Sequence, residues 1–332
     1  MMVKGLYIMN QDTFELVYPE SVRREIGALA DIYRSPMTSQ QMKEDLSVLN
    51  EAEVIFSGWG GPRLDHSLIQ AAPNLKAFFY AAGSLKNIAT DASWEHEMII
   101  TNAVKANAVP VAEFTLSQIL FCLKKGWAFT RRIRNTKQFP EKPFDIPGAF
   151  GSTVGIVSLS TVGRMVCELL KPFDIHVIGY DPYINEEEAK KLGVELCSLD
   201  ELFRNADVVS LHTPLLEETK GMIRYEHFAQ MPANSSFINT SRGAIVRESE
   251  MIEALKKRSD ITAVLDVTFP EPPNQDSLLY QLENVVLTPH LAGSEGQECG
   301  RMGYYMLEEF KRYVNGESLR WQVKKEYFDI LA

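Results

Sequence analysis

Cysteine is scarce and scattered. The four thiols, Cys122, Cys167, Cys197 and Cys299, form no Cys-x-x-Cys pair, so a disulfide framework and a zinc site both lack support. Separate, buried thiols suit a reducing compartment, and a cytoplasmic location is expected. No run of about 18 apolar residues occurs, so no membrane span is expected. The opening Leu6-Tyr7-Ile8-Met9 is too short for a signal-peptide core and reads as a first β-strand. Basic charge is in deficit: 34 Lys and Arg stand against 44 Asp and Glu, a net charge of −10. Such a surface repels phosphate backbones and anionic lipid, which argues against nucleic acid and membrane as partners. Repeats of solenoid period and low-complexity tracts are also missing.

What is present is an ordinary globular balance, 45% hydrophobic and 23% charged over 332 residues, a length comfortable for two domains. Short apolar runs alternate with helical patterns. Strands are expected at Gly5–Met9, Val54–Ser57, Lys76–Tyr80 and Ile99–Thr101, with helices near Pro19–Ile32, Ser39–Leu49 and His66–Ala72 between them. A long helix is expected from Val109 to about Lys125. The stretch Arg131–Gly151, with three prolines and two glycines, reads as an irregular arm. A second series offers six strands, Val154–Leu159, His176–Tyr180, Val208–His212, Ser236–Asn239, Thr262–Leu265 and Val285–Thr288, the count of a dinucleotide-binding sheet. Cys299–Val314 reads as a final helix that packs back on the first domain. Alternation of this kind implies an α/β protein with parallel sheets covered on both faces.

The run Val154-Gly155-Ile156-Val157-Ser158-Leu159-Ser160-Thr161-Val162-Gly163-Arg164 joins a buried strand to an amphipathic helix. That geometry presents backbone N–H groups to a pyrophosphate. The glycine fingerprint is incomplete. Ser158 and Ser160 stand at its first two positions and Gly163 alone remains. Ser160 carries a Cβ where the phosphate should come closest, although its hydroxyl can donate to a phosphate oxygen. Asp181 ends the next strand, 18 residues after Gly163. An acid there can accept from the adenosine ribose hydroxyls and repel a 2′-phosphate, favouring NAD over NADP; Asp181-Pro182 can alternatively be a simple turn.

Three further segments fall at the C-terminal ends of expected parallel strands: Asn239-Thr240-Ser241-Arg242-Gly243, Leu265-Asp266-Val267-Thr268-Phe269-Pro270-Glu271-Pro272 and Thr288-Pro289-His290-Leu291-Ala292-Gly293-Ser294. With Asn107–Glu113 and Leu211-His212-Thr213-Pro214-Leu215, their ordered arginine, glutamate and histidine resemble the D-isomer-specific 2-hydroxyacid dehydrogenases. The family includes phosphoglycerate, glycerate and D-lactate dehydrogenases, and the resemblance covers nearly the whole chain. It implies two doubly wound parallel-sheet domains. A flavodoxin-like substrate domain would comprise 1–102 plus 299–332, and a Rossmann NAD-binding domain 103–298, with a hinged cleft that closes on substrate. It also implies NAD as cofactor, a small 2-oxo or 2-hydroxy acid as substrate, hydride transfer at C2 without a metal, and a homodimer formed through the long helix and the arm.

Carried over to this sequence, Arg242 resembles the anchor of the substrate carboxylate, whose planar fork meets two oxygens. His290 resembles the general acid/base. Glu271 resembles the carboxylate that orients it. Taken one at a time, Arg242 also reads as a surface ion pair, Glu271 as a solvated loop charge and His290 as a cap on a neighbouring backbone carbonyl. Asp266 resembles the acid near the nicotinamide carboxamide and equally reads as a structural strand-end aspartate. The resemblance assigns cofactor contacts to Ser160, Thr161, Val162, Gly163, Asp181, Pro182, His212, Thr213, Pro214, Thr219, Thr240, Ser241, Asp266 and Gly293.

On the substrate side, Ala82-Gly83-Ser84 falls where the family has a glycine-rich loop that offers N–H groups to the carboxylate. Ala82 and Ser84 replace glycines, and Lys86 replaces an acid; a solvated lysine is the favoured reading of the last. Trp59, in Ser57-Gly58-Trp59-Gly60-Gly61, is either the apolar wall of a cleft or a core anchor. With the sequence ending at Ala332, an appended regulatory domain of the kind some phosphoglycerate dehydrogenases carry is not expected. The competing class is an NAD(H)-binding regulatory protein of the co-repressor kind with little turnover. A short-chain dehydrogenase is excluded, because none of the 12 tyrosines has lysine four residues later. Formate dehydrogenases carry glutamine at the place of Glu271, and a P-loop kinase would need Gly-Lys-Ser/Thr.

Overall fold

The computed structural model describes residues 2–142 and 146–328. The chain divides into two compact units, Met1–Asn107 with Ser294–Ala332, and Ala108–Gly293.

In the first unit, β1 (Val3–Ile8), β2 (Ala30–Ile32), β3 (Val54–Ser57), β4 (Ala77–Tyr80) and β5 (Ile99–Asn102) pair in parallel in the order 2-1-3-4-5, the flavodoxin-like arrangement. Fully buried runs such as Val54-Ile55-Phe56-Ser57 are what a parallel sheet covered on both faces requires. Local chemistry sets the helix starts. Asp65 accepts from the N–H groups of Ser67 and Leu68 at the head of His66–Ala71, and Thr38 and Gln41 form a reciprocal cap on Ser39–Glu44. The helix Cys299–Val314 returns to this unit and packs Met302, Met306 and Phe310 against Tyr18, Phe56 and Phe79.

In the second unit, β6 (Thr153–Val157), β7 (His176–Tyr180), β8 (Val194–Leu196), β9 (Val208–Leu211), β10 (Ser236–Asn239), β11 (Thr262–Leu265) and β12 (Val285–Leu287) form a seven-stranded parallel sheet in the order 12-11-10-9-6-7-8. Renumbered within the unit, that is 3-2-1-4-5-6 with one strand added, the Rossmann order. The order reverses between β6 and β9, which pair directly. Because every strand runs the same way, all their C-terminal ends lie along one edge.

The structure departs from the sequence expectations in several places, and the long helix expected from Val109 already begins at Val104. The helix expected at Pro19–Ile32 stops at Leu29, and Ala30–Ile32 becomes β2. The helix expected at Ser39–Leu49 breaks at Asp45, whose side chain accepts from the Ser47 N–H and starts a separate 3-10 turn, Leu46–Leu49. The cofactor sheet has seven strands rather than six, because Val194-Glu195-Leu196 is too short to show an alternation. Finally, Arg131–Thr136 belongs to a helix, Gly126–Thr136, and the irregular stretch begins only at Lys137, which ends the helix in the left-handed conformation. Within that stretch, 143–145 lie outside the described residues. A thirteenth strand, β13 (Gln322–Val323), pairs antiparallel with β5. The buried Glu309 carboxylate leads the chain there by accepting from the N–H groups of Arg320 and Trp321. The helix Val104–Leu123 is long and apolar enough to cross a bilayer, with a mean hydropathy of 1.3, although no uninterrupted apolar run exists; half of it is buried inside the protein, as in a core helix.

Candidate active site

Loops from the C-terminal ends of β6, β7, β9, β10, β11 and β12 carry nearly every residue singled out in this unit. After β10, Asn239 makes a turn with its own side chain. Its Oδ1 accepts from the Ser241 N–H at 3.0 Å and its Nδ2 donates to the Arg242 carbonyl at 3.1 Å. This fixes the backbone that presents Arg242, whose Nη1 donates to the Ser241 carbonyl at 2.7 Å. Burial lowers the pKa of that guanidinium, and the negative charge of Glu271 opposes the shift. At Gly243 a Cβ would meet the Thr268 carbonyl carbon at 2.1 Å, so the β10 and β11 loops pack backbone to backbone there.

After β11, Glu271 sits between the cis peptide bonds Phe269–Pro270 and Glu271–Pro272. Its Oε1 lies 2.6 Å from His290 Nδ1. A carboxylate only accepts, so Nδ1 carries the hydrogen and Nε2 remains to hold or release a proton. His290 itself has φ of +54°, unusual for a side-chain-bearing residue. Asp266 maintains that backbone. Its Oδ1 accepts from Thr288 Oγ1 at 2.6 Å and from the Leu291 N–H at 2.9 Å, and its Oδ2 accepts from the Ala292 N–H at 2.9 Å. The Asp266 carbonyl accepts from the His290 N–H. Of the two readings left open for Asp266, the structural one is thus visible: a buried carboxylate anchors the histidine loop.

The turn after β6 has the strand–turn–helix form. A Cβ at Gly163 would lie 2.1 Å from the Ser158 carbonyl oxygen, so only glycine allows the helix Thr161–Leu170 to approach the strand this closely. Ser158 has φ of +75°, a conformation natural to glycine that costs a residue with Cβ about 1 kcal/mol. Ser160 is extended, with φ of −65°, so its Cβ brings no backbone strain; its hydroxyl donates to the His212 carbonyl at 2.8 Å. Asp181 takes three donors, Leu159 N–H at 2.8 Å, Ser158 Oγ at 3.3 Å and Tyr183 N–H at 2.9 Å.

Residues 116–292 match the family described as D-isomer specific 2-hydroxyacid dehydrogenase, NAD binding domain. The chain belongs to this family. Among curated relatives, D-3-phosphoglycerate dehydrogenase of Methanocaldococcus jannaschii is 32% identical over 281 residues, covering 84% of this chain and 53% of its own. The enzyme of that name from Mycobacterium bovis is 33% identical over 254 residues, covering 76% and 48%. The chain thus spans about half the length of the curated relatives it matches. The fold is also that of the NAD-complexed D-isomer specific 2-hydroxyacid dehydrogenase of Lactobacillus delbrueckii ssp. bulgaricus, with a TM-score of 0.80 at 23% identity, covering 97% of this chain and all of that one.

For a member of this family the cofactor is NAD, and the residues present fit it. The β6 turn offers the start of a ten-residue helix beside an acid at the end of β7. At the end of β9, Thr213 Oγ1 is buried without a hydrogen-bond partner among the described residues, the kind of group that a ligand's polar atom satisfies. Other residues assigned to the cofactor have structural partners of their own. Thr240 Oγ1 lies 3.0 Å from Thr115 Oγ1, Ser241 Oγ donates to the Thr213 carbonyl, and Thr219 Oγ1 donates to the Pro214 carbonyl at 2.7 Å. The His212 ring is buried 2.9 Å from Ser210 Oγ, and burial pulls its pKa down to about 3, so it is a neutral core histidine. Pro182 is exposed; Thr161, Val162, Pro214 and Gly293 are half-buried.

In the first unit, Ala82 is buried and its N–H donates to the Tyr80 carbonyl, while Gly83 and Ser84 are half-buried. Trp59 is half-buried against both apolar clusters that flank the sheet, as a core anchor would be. The sequence pattern gives no sign of the bracing groups Thr288 and Thr115, and it marks Ser158 only as a lost glycine. Asn239 had a signal, since an Asn at a strand end two residues before a serine is a common turn former.

Proposed function

We propose that the protein interconverts small 2-oxo acids and D-2-hydroxy acids. The observation that carries this reading is the pair His290 Nδ1–Glu271 Oε1 at 2.6 Å on the same strand-end edge as the half-buried Arg242 guanidinium. NADH, when bound, supplies the hydride that reduces C2. Arg242 holds the substrate carboxylate through its fork and draws electron density from the C2 carbonyl. His290 gives the proton from Nε2 to the carbonyl oxygen during reduction and takes it back during oxidation. Glu271 keeps the ring in the orientation and tautomer that this requires. Asp181 accepts from an adenosine ribose hydroxyl with the acceptor site its three protein donors leave open.

The test is NADH oxidation followed at 340 nm with glyoxylate, hydroxypyruvate, pyruvate and longer branched 2-oxo acids, together with NAD reduction by D-3-phosphoglycerate. Turnover with at least one, and its collapse in His290→Ala with NADH binding retained, is the expected result. Silence across the panel with NADH bound points instead to the regulatory reading. A homodimer belongs to the same proposal. Phe121, Phe139 and Phe150, on and after the long helix, are exposed at 40%, 89% and 83%; light scattering should give twice the chain mass. A cytoplasmic location is consistent with four free thiols.

A further inference from the structure

Ser158 is the least explained residue of the nucleotide turn. It occupies the first glycine position of the fingerprint with φ of +75°, a region that disfavours any Cβ. Outliers of this kind persist where the surroundings over-determine them. Here the surroundings are the end of β7. The Ser158 N–H donates to the Tyr180 carbonyl at 2.8 Å, and its hydroxyl reaches Asp181 Oδ2 at 3.3 Å. The same carboxylate oxygen accepts from the Leu159 N–H at 2.8 Å, while Oδ1 accepts from the Tyr183 N–H at 2.9 Å.

A carboxylate has about four acceptor sites. Leu159 and Tyr183 each fill one on opposite oxygens, and the Ser158 hydroxyl fills the second site on Oδ2. That third contact opposes rotation about the Cβ–Cγ bond and directs the remaining capacity to one side. A glycine in the same place would keep the turn and lose this contact.

We infer that Ser158 is a positioning residue for cofactor recognition: its hydroxyl fixes the Asp181 carboxylate so that the one acceptor site left, on Oδ1, is held toward a hydroxyl of the adenosine ribose, and thereby sharpens the preference for NADH over NADPH. The inference rests on the reading of Asp181 as the ribose acceptor. The serine that breaks the fingerprint is on this account a substitute with a function, holding by side chain what the backbone alone leaves free.

Two variants separate hydroxyl from backbone. Ser158→Gly and Ser158→Ala both remove the hydroxyl, but only the first relaxes the left-handed residue. Titration of protein fluorescence with NADH and with NADPH should show NADH binding weakened about threefold to tenfold in both, with the NADH:NADPH preference reduced in both. The thermal midpoint should rise in Ser158→Gly alone. In an Asp181→Asn background the Ser158→Gly effect on binding should vanish, because the serine acts through that carboxylate. Unchanged or tighter NADH binding in both serine variants overturns the inference, as does a full effect in the Asp181→Asn background; a raised midpoint with unaltered binding reduces Ser158 to a strained turn residue. If Asp181→Asn by itself leaves the NADH:NADPH preference intact, the ribose reading fails and takes this inference with it. A strong Asp181 effect beside silent serine variants removes only the role of Ser158.

Discussion

Alanine at two glycines should act with opposite signs, and the difference measures how tightly the nucleotide turn is built. At Gly163 a Cβ would stand 2.1 Å from the Ser158 carbonyl oxygen and 3.4 Å from Ile156 Cγ2, whereas real Cβ contacts essentially never fall below 3.0 Å. The obstruction is backbone, so no rotamer relieves it, and helix or turn must move by about 0.9 Å. Overpacking of this order costs about 1–3 kcal/mol. The propensity gain of Ala over Gly is at most about 1 kcal/mol and smaller in a first turn. The clash therefore wins, and Gly163→Ala should lose about 1–2 kcal/mol. Because the displaced atoms belong to the turn itself, NADH should bind about tenfold more weakly or worse, the equivalent of about 1.4 kcal/mol. Gly27, exposed in the helix Glu20–Leu29, has nothing within 4 Å of a built Cβ. There only the propensity term operates, and Gly27→Ala should gain up to about 1 kcal/mol with NADH binding unchanged. Urea unfolding midpoints and fluorescence titration of both variants provide the comparison. A Gly163→Ala protein as stable as its parent, with the parent's NADH affinity, refutes the argument that close approach dictates glycine there.

Other substitutions address the remaining groups. Arg242→Lys keeps the charge and loses the fork, so kcat/KM for the best 2-oxo acid should fall at least about tenfold with the fold intact by circular dichroism; near-parental kinetics would show that bidentate recognition is not used. Asp266→Asn places an amide where three donors now converge, leaving a buried N–H facing another, and should cost about 1–3 kcal/mol with a fall in kcat as the His290 loop relaxes; a stable, fully active variant would contradict the anchoring role. For His212, burial moves the pKa from 6.5 to about 3. The unfolded chain therefore binds the proton first as pH falls, so stability is intact above about pH 6.5 and is lost progressively down to about pH 3. At pH 4.5 this single ring should account for about 3 kcal/mol of lost stability. His212→Gln should flatten that part of the stability–pH curve, and parallel curves for parent and variant between pH 7 and 4.5 would dismiss the assignment.

Strand positions were legible because parallel strands buried on both faces leave short, continuous apolar runs; β3, β7, β10 and β11 fall where those runs lie. Elements without such a run were not: β2 and β8 are three residues each, and the Gly126–Thr136 helix precedes a proline-rich stretch whose composition overshadowed it. The meeting of His290 with Glu271 followed from loop order along parallel strands, since chain order fixes which strand-end edge a residue joins. What the sequence could not show was how each polar group is spent. His212 and Thr219 lie in the expected loops, yet both satisfy neighbours within the protein. A motif names a position, and the hydrogen-bond partner is decided by backbone geometry that local spacing does not encode.

The three strand-end acids make the point sharper. Asp181 and Asp266 both turn their carboxylates on backbone N–H groups, two for each. Glu271 alone of the three gives its closest contact to an ionisable ring. Backbone N–H groups cannot leave, so the first two acids are committed to holding loop shape, and any part they play toward a ligand uses the acceptor capacity left over. The Glu271–His290 contact joins two half-exposed side chains, with relative exposures of 42% and 46%, so it is open to solvent and adds little to stability. On the proposed mechanism its worth lies in the direction in which it points Nε2. Loss of Glu271 should therefore be felt in turnover and hardly in unfolding, whereas loss of Asp266 should be felt in both, and the two kinds of measurement divide chemistry from scaffold within a single sheet edge.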